Sequence, residues 1–202
     1  MRIGFYGGAF NPIHYGHIKV AKQSKAKLKL DRIVLVPSGI AVHKDIKGAS
    51  AADRFAMVNL ARLECGFINV SPYEIMLSRR SGKPCPTVGT ITHMRLQFPN
   101  DELFLIIGLD QAVQFHKWVR YKELLDLCNV VVVNRHGHEI DHINKECEKK
   151  MTFIEINSLD ISSSTIRNMI NKWYPVEGLI PQDVENYIKK TKIYNCHYKY
   201  YD

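Results

Sequence analysis

Short unbroken apolar runs alternate along this chain with longer stretches in which apolar residues recur near every third or fourth position. The runs at 3–6, 33–36, 67–70, 103–107, 130–133 and 153–156 have the length of strands. A run such as Ile33 to Val36, with no polar face, suits a strand covered on both sides, as in a parallel sheet. Between the runs, residues 17–30, 50–65, 89–98 and 111–127 read as helices. In the first, Ile18, Ala21 and Leu28 recur near a 3.6 period, with lysines between them. In the second, Phe55, Met57, Val58, Leu60, Ala61 and Leu63 give a wide apolar face, and Ser50 with Asp53 forms a capping box in which Asp replaces the preferred Glu. Residues 78–88 hold two prolines and a glycine and read as loop, while the polar stretch 139–150 reads as an exposed helix. Ser163 or Ser164 is expected to cap a helix through Ile170, and Pro181 to open a last helix ending near Lys190. Strand followed by helix, repeated about five times, predicts an α/β fold with a central, mostly parallel sheet and helices on both faces. Ligands of such sheets gather at the carboxyl ends of the strands, where the strand order reverses.

Composition narrows the class. Apolar residues make up 46% and charged residues 24% of 202, enough for a real hydrophobic core and too apolar for wholesale disorder. No repeat or linker divides the sequence, so residues 1–202 are expected to form a single domain. No stretch approaches the roughly 18 unbroken apolar residues of a membrane span. Met1 to Phe5 runs directly into a strand, with no basic-then-apolar leader. The five cysteines are odd in number, scattered and without a CxxC pair, so a reducing, cytoplasmic location is expected. Cys65 and Cys128 read as small buried hydrophobes rather than nucleophiles.

The net charge of +8 fits either a nucleic-acid surface or a solvated face with a pocket for a small anion. Lys22, Lys25, Lys27 and Lys29, and Lys189, Lys190 and Lys192, fall late in helical segments, where cations complement the helix dipole without any ligand. No module interleaving aromatic and basic residues is present, so neither a specific nucleic acid nor a membrane is expected as a partner.

Candidate chemistry concentrates near the N-terminus, in Gly4-Phe5-Tyr6-Gly7-Gly8-Ala9-Phe10-Asn11-Pro12-Ile13-His14-Tyr15-Gly16-His17. A strand enters this segment and a helix leaves it. Gly7 and Gly8 let backbone N–H groups approach a ligand. His14 and His17 are spaced to lie on one side of the helix start, where anions are already favoured. Gly16 removes a side chain between them. Two histidines with no third ligand nearby make a poor metal site. The run is neither a P-loop nor a GxGxxG dinucleotide fingerprint.

The run Gly7 to His17 resembles the (H/T)xGH signature of nucleotidyltransferases, and the wider pattern is similar to nicotinate or nicotinamide mononucleotide adenylyltransferases. Supporting elements are Pro37 followed by His43-Lys44; Gly108-Leu109-Asp110 leading to Trp118; and Ile161-Ser162-Ser163-Ser164-Thr165-Ile166-Arg167, which resembles a late ISSTxIR motif. Ala41-Val42 stand where bacterial members commonly carry paired prolines, and Pro86 and Val119 where they often carry tyrosine.

The resemblance implies a Rossmann-like nucleotidyltransferase fold whose C-terminal helical part, about 161–202, packs on the body. It implies transfer of AMP from ATP to nicotinate mononucleotide, or to nicotinamide mononucleotide, with Mg²⁺ accompanying ATP. His14, His17, Lys44 and Arg167 are the implied catalytic residues. Gly7, Gly8, Ala9, Phe10, Ser162, Ser163, Ser164 and Ile166 are implied to hold the nucleotide, and Thr87, Asp110 and Trp118 the acceptor. No protein-held metal is implied, and a homo-oligomer is compatible with the pattern. Arg54, Arg79, Arg80 and Arg95 are left as substrate contacts or solvent-facing side chains, and His136 and His138 as a polar loop. Alternatives are a pantetheine-phosphate adenylyltransferase, for which the Asp110, Trp118 and Ser-rich combination is foreign, and a non-catalytic nucleotide- or nucleic-acid-binding protein, which would not need His14, His17, Lys44 and Arg167 together.

Overall fold

A computed structural model describes residues 1–40, 48–135, 142–157 and 159–195. Six strands form one sheet in the order β3-β2-β1-β4-β5-β6, every neighbouring pair parallel. They are β1 (Arg2–Gly8), β2 (Arg32–Pro37), β3 (Ile68–Val70), β4 (Glu102–Gly108), β5 (Asn129–Arg135) and β6 (Met151–Ile156). Successive crossovers build outward from β1 to β2 and β3, and then from β4 to β5 and β6 on its other side. The strand order therefore reverses at β1, the place where sheets of this kind form a ligand crevice beyond the carboxyl ends of their strands.

The side-chain alternation of each strand feeds two cores. In β4, Phe104 and Ile106 face one core and Leu103, Leu105 and Ile107 the other; β5 divides Val131 and Val133 from Val130 and Val132 in the same way. The first core is covered by α1 (Tyr15–Leu28), α2 (Ala51–Arg62), α8 (Ser163–Asn171) and α9 (Gln182–Thr191), through Ile18, Met57, Ile166 and Val184 among others. The second is covered by α4 (Thr87–Gln97), α5 (Leu109–Gln114), α6 (Tyr121–Leu127) and α7 (Lys145–Glu148). The Rossmann-like α/β reading is thus realised, with parallel strands buried on both faces.

The Ser50–Asp53 capping box forms as predicted: Ser50 Oγ accepts from the Asp53 amide at 3.1 Å and Asp53 Oδ2 from the Ser50 amide at 2.9 Å. The C-terminal part docks on the first face, where Tyr187 Oη donates to Asp53 Oδ1 at 2.9 Å and the Tyr15 amide to the Leu179 carbonyl at 2.9 Å. Cys65, Cys85, Cys128 and Cys147 are buried and free, and burial pushes the Cys128 thiol up to about 12. Among the described residues no helix is long and apolar enough to cross a membrane.

Three local expectations are corrected. Residues 78–88 are not one loop: α3 (Tyr73–Ser81) runs to Gly82, which caps it at φ 66°, and Pro86 directly precedes α4. The glycine and the proline there end one helix and begin the next. The single helix expected at 111–127 is broken. A turn of 3-10 helix at Phe115–Lys117 follows α5, Trp118 is extended, and Arg120 lies at φ 53°. The break lets the Trp118 and Tyr121 rings close on Phe115, at 5.2 and 6.2 Å between centroids. The helix expected at 139–150 shrinks to α7, because Asn144 caps it through the amides of Glu146 and Cys147; residues 139–141 lie outside the described residues.

Glu74 in α3 is a half-buried carboxyl. It accepts from Thr90 Oγ1 at 2.7 Å, and burial pushes its pKa up to about 7. Its unfolded value is near 4.5, so between about pH 4.5 and 7 the folded protein binds the extra proton and stability falls as pH rises. Glu74→Gln keeps an acceptor for Thr90 without the charge. It should raise the melting temperature at pH 8 and leave it near wild type at pH 4.5. Equal shifts at the two pH values would show that folding does not raise the Glu74 pKa.

Candidate active site

The carboxyl end of β1 turns through Ala9, Phe10, Asn11 and Pro12 before α1 begins. Phe10 takes a left-handed conformation at φ 47° with its ring buried, and the Asn11–Pro12 peptide is cis. Carbonyls of such an irregular buried turn have no ladder to join, so side chains must satisfy them. Arg54 Nη1 donates to the Ala9 carbonyl at 2.8 Å, Arg167 Nη1 to that of Asn11 at 2.8 Å, and Ser163 Oγ to that of Pro12 at 2.9 Å. Tyr194 Oη donates to Asn11 Oδ1 at 2.6 Å. Burial pushes the Tyr194 hydroxyl above its ordinary pKa. Gly8 is pressed on Phe10: a Cβ there would lie 3.2 Å from the ring.

His14 is the N-cap of α1 and is buried; His17 is its third helical residue and half-buried. Their rings stack at 3.7 Å with an interplanar angle of 29°. The Phe10 ring meets His17 edge-on at 5.0 Å. A Cβ on Gly16 would stand 2.8 Å from His14 Nδ1, so the missing side chain is what lets the rings adopt this arrangement. His17 Nδ1 accepts from the His14 amide at 3.3 Å. A neutral imidazole that accepts at Nδ1 carries its proton on Nε2, which makes Nε2–H the donor available to a ligand. Burial, and then the neighbouring His14, hold His17 well below the usual imidazole pKa.

The late serine motif folds against the same turn. Ser162, rather than the expected Ser163 or Ser164, caps α8, its Oγ accepting from the Thr165 amide at 3.0 Å. Arg167 also reaches Ser164 Oγ at 3.3 Å. Ile166 is wholly buried, so its side chain anchors α8 in the first core and only its backbone is open to a ligand role. Gly7 and Gly8 end β1, and the Gly8 carbonyl accepts from the Ser38 amide at 2.9 Å. His14, His17, Gly7 to Phe10, Ser162 to Ser164 and Arg167 are thereby gathered around one turn from opposite ends of the sequence.

Thr87, Asp110 and Trp118 belong to the other face. Thr87 opens α4; Asp110 is exposed in the first turn of α5, accepting from Gln111 Nε2 at 3.1 Å; Trp118 rests on Phe115 beside the second core. The Asp110 side chain is not the cap of α5, whose N-cap is Gly108; a Cβ on Gly108 would lie 2.6 Å from Asp110 Oδ1. Asp110 follows β4, the neighbour of β1, so the two groups flank the same crevice from opposite faces of the sheet. Lys44 and His43, like His136 and His138, lie outside the described residues.

Arg54 was left open by the sequence reading, and it proves to be among the largest fully buried side chains, 1% exposed. A signal for this was present: Arg54, Met57, Val58 and Ala61 share one stripe of α2 at helical spacing, so the arginine stands on the buried face. Arg79 and Arg80 are exposed, and Arg95 is tied to the carbonyls of Asp101 and Leu127 at 2.7 and 2.8 Å, away from the crevice. Asn11 and Tyr194 were also missed, because nothing local marks a residue whose partner is 183 positions away. The arrangement offers an anion helix amides, imidazole N–H, serine hydroxyls and guanidinium in one place.

Residues 5–169 match the cytidylyltransferase-like family. The "Probable nicotinate-nucleotide adenylyltransferase" of Geotalea daltonii is 35% identical over 217 aligned residues, covering 96% of this chain and 99% of that protein. That of Dictyoglomus turgidum, with the same description, is 32% identical over 96% of each. In structure, the Plasmodium falciparum nicotinic acid mononucleotide adenylyltransferase complexed with NaAD superposes with a TM-score of 0.78 at 20% identity, covering 97% of this chain and 98% of that one. The same enzyme complexed with APC gives 0.75.

Because the folded pKa of His17 is depressed, the unfolded chain takes up a proton first as pH falls. Its contribution to stability is whole above about pH 6.5 and declines below that value. ¹⁵N-detected NMR of the free protein should show His17 as a neutral Nε2–H tautomer at pH 6.5. A protonated ring at that pH would contradict the burial.

Proposed function

The chain belongs to the cytidylyltransferase-like family, and within it to the nicotinate-nucleotide adenylyltransferases, and we propose that it transfers AMP from ATP to nicotinate mononucleotide in NAD biosynthesis. The observation that carries this is the stacked His14–His17 pair at the N-terminus of α1, set at the strand-order reversal and braced by the serine–arginine motif of α8. The 202 residues act as one nucleotidyltransferase domain with the part from about 161 packed on it. The protein works in the cytoplasm on small-molecule substrates.

An oxygen of the mononucleotide 5′-phosphate attacks the α-phosphorus of ATP, and the bond from that phosphorus to the bridging oxygen of pyrophosphate breaks. The attacking group is already an anion at neutral pH, so the protein's task is alignment and neutralisation rather than proton abstraction. His17 Nε2–H donates to an α-phosphate oxygen, and His14 and the first amides of α1 receive the neighbouring phosphates. Arg167, held by Asn11, and Lys44 neutralise the departing pyrophosphate. Gly7 to Phe10 give close backbone approach, and Ser162 to Ser164 with the Ile166 backbone line the nucleotide. On the opposite face Thr87 and Asp110 orient the acceptor, and Trp118 stacks on its pyridine ring.

The donors around the histidines are imidazoles, amides, hydroxyls and a guanidinium, a set that fits phosphate oxygens rather than a hard cation. Mg²⁺ would therefore be carried by the triphosphate rather than held by these side chains, and would supply further charge neutralisation there.

Pyrophosphate release should be followed with ATP, Mg²⁺ and each mononucleotide in turn. Nicotinate mononucleotide is expected to support turnover. Folded protein that releases no pyrophosphate with it would overturn the reading.

His17→Ala should lower kcat by roughly 10²-fold or more, the scale for losing a well-placed electrostatic donor. The KM for ATP should rise by less, because the contact strengthens as charge moves toward pyrophosphate. Near-normal kcat in a folded variant, judged by its thermal melt, would remove His17 from the chemistry.

A further inference from the structure

Arg54 is a fully buried charge whose hydrogen bonds run to two backbone carbonyls. Nη1 meets the Ala9 carbonyl, after β1, and Nη2 meets the Gly39 carbonyl, after β2, each at 2.8 Å. Removing a guanidinium from water costs several kcal/mol, and the rest of its stripe on α2 is apolar. A methionine or leucine would serve packing there without that cost. A planar fork that spans two acceptors is what arginine offers and lysine does not.

The two carbonyls sit on the two loops that flank the crevice. Ala9 precedes Phe10, whose ring abuts His17. Gly39 lies five residues before Lys44, and its own position is set by α3: a Cβ there would stand 2.4 Å from Ser78 Oγ and 2.5 Å from the Glu74 carbonyl. The Ile40 amide also donates to Ser78 Oγ at 3.4 Å. One guanidinium thus ties the histidine turn, over the first core, to a loop wedged against α3.

We propose that Arg54 is a positioning residue for adenylyl transfer, which joins the β1 turn to the start of the β2 loop so that the histidines hold a single spacing from that loop around the reacting phosphates. This rests on the function proposed above. Binding of ATP uses donors local to each loop and tolerates a small change of spacing. Transfer requires in-line alignment and does not: a misplacement near 1 Å costs on the order of 10²-fold.

Arg54→Lys and Arg54→Gln are the test, assayed well below their melting temperatures with nicotinate mononucleotide, ATP and Mg²⁺. Both should lower kcat by roughly 10- to 100-fold while the KM for ATP moves by less than about 3-fold, since neither can span two carbonyls. Gly39→Ala, which displaces the second carbonyl and leaves the charge in place, should show the same split. Wild-type kcat in folded Arg54→Lys, or a kcat retained by Lys and lost by Gln, would overturn the proposal; the latter would assign the effect to charge. Failure of all three variants to fold would also overturn it, by making Arg54 an element of the fold. A wild-type enzyme that releases no pyrophosphate would instead remove the functional reading on which the proposal stands.

Discussion

The turn from Ala9 to Pro12 must leave a buried strand, reverse and deliver two histidines to a helix start, and it has no regular backbone partner along the way. The carbonyls of Ala9, Asn11 and Pro12 are satisfied by side chains from α2 and α8, and the Asn11 side chain by a tyrosine beyond α9. Unpaired, each buried carbonyl would cost on the order of 1–3 kcal/mol. The constraint accounts for why helices distant in sequence converge on one edge of the sheet. It also accounts for the docking of the C-terminal part: α8 and Tyr194 complete the hydrogen bonding of the turn as well as covering the first core.

The same economy of partners sets the electrostatics. Burial, and then the neighbouring His14, hold His17 neutral, and a cation at this helix N-terminus would also oppose the macrodipole. Among the described residues, the cations hydrogen-bonded to the turn are the guanidiniums of Arg54 and Arg167, anchored by carbonyls rather than carboxylates. An anion entering the crevice therefore meets fixed donors without having to displace an internal ion pair, which is the condition for preorganised electrostatic stabilisation.

Much of this was legible without coordinates. The parallel sheet followed from runs such as Val130 to Val133, which have no polar face. The capping box at Ser50 followed from two residues three apart. The turn that delivers two histidines to a helix start followed from two glycines and two histidines at helical spacing. These are local properties: one segment carries all the residues whose backbone geometry or periodicity decides the outcome. The errors of detail were also local in origin. Gly82 and Pro86 punctuate two helices, and the sequence shows punctuation without saying which side of it is ordered.

What the tertiary structure alone decided are pairings between distant groups. Nothing near Trp118 announces that the helix expected through it breaks to bring its ring, with that of Tyr121, onto Phe115. Nothing near Arg54 names Ala9 and Gly39 as its acceptors, although its place on the apolar stripe of α2 marked it as buried. Tyr194 finds Asn11 only because α9 lies across α2 and returns the chain to the first core. A side chain's period along its own helix or strand is written in its neighbours. The partner it meets after the sheet has closed depends on packing summed over the whole molecule, and no stretch of sequence carries that sum.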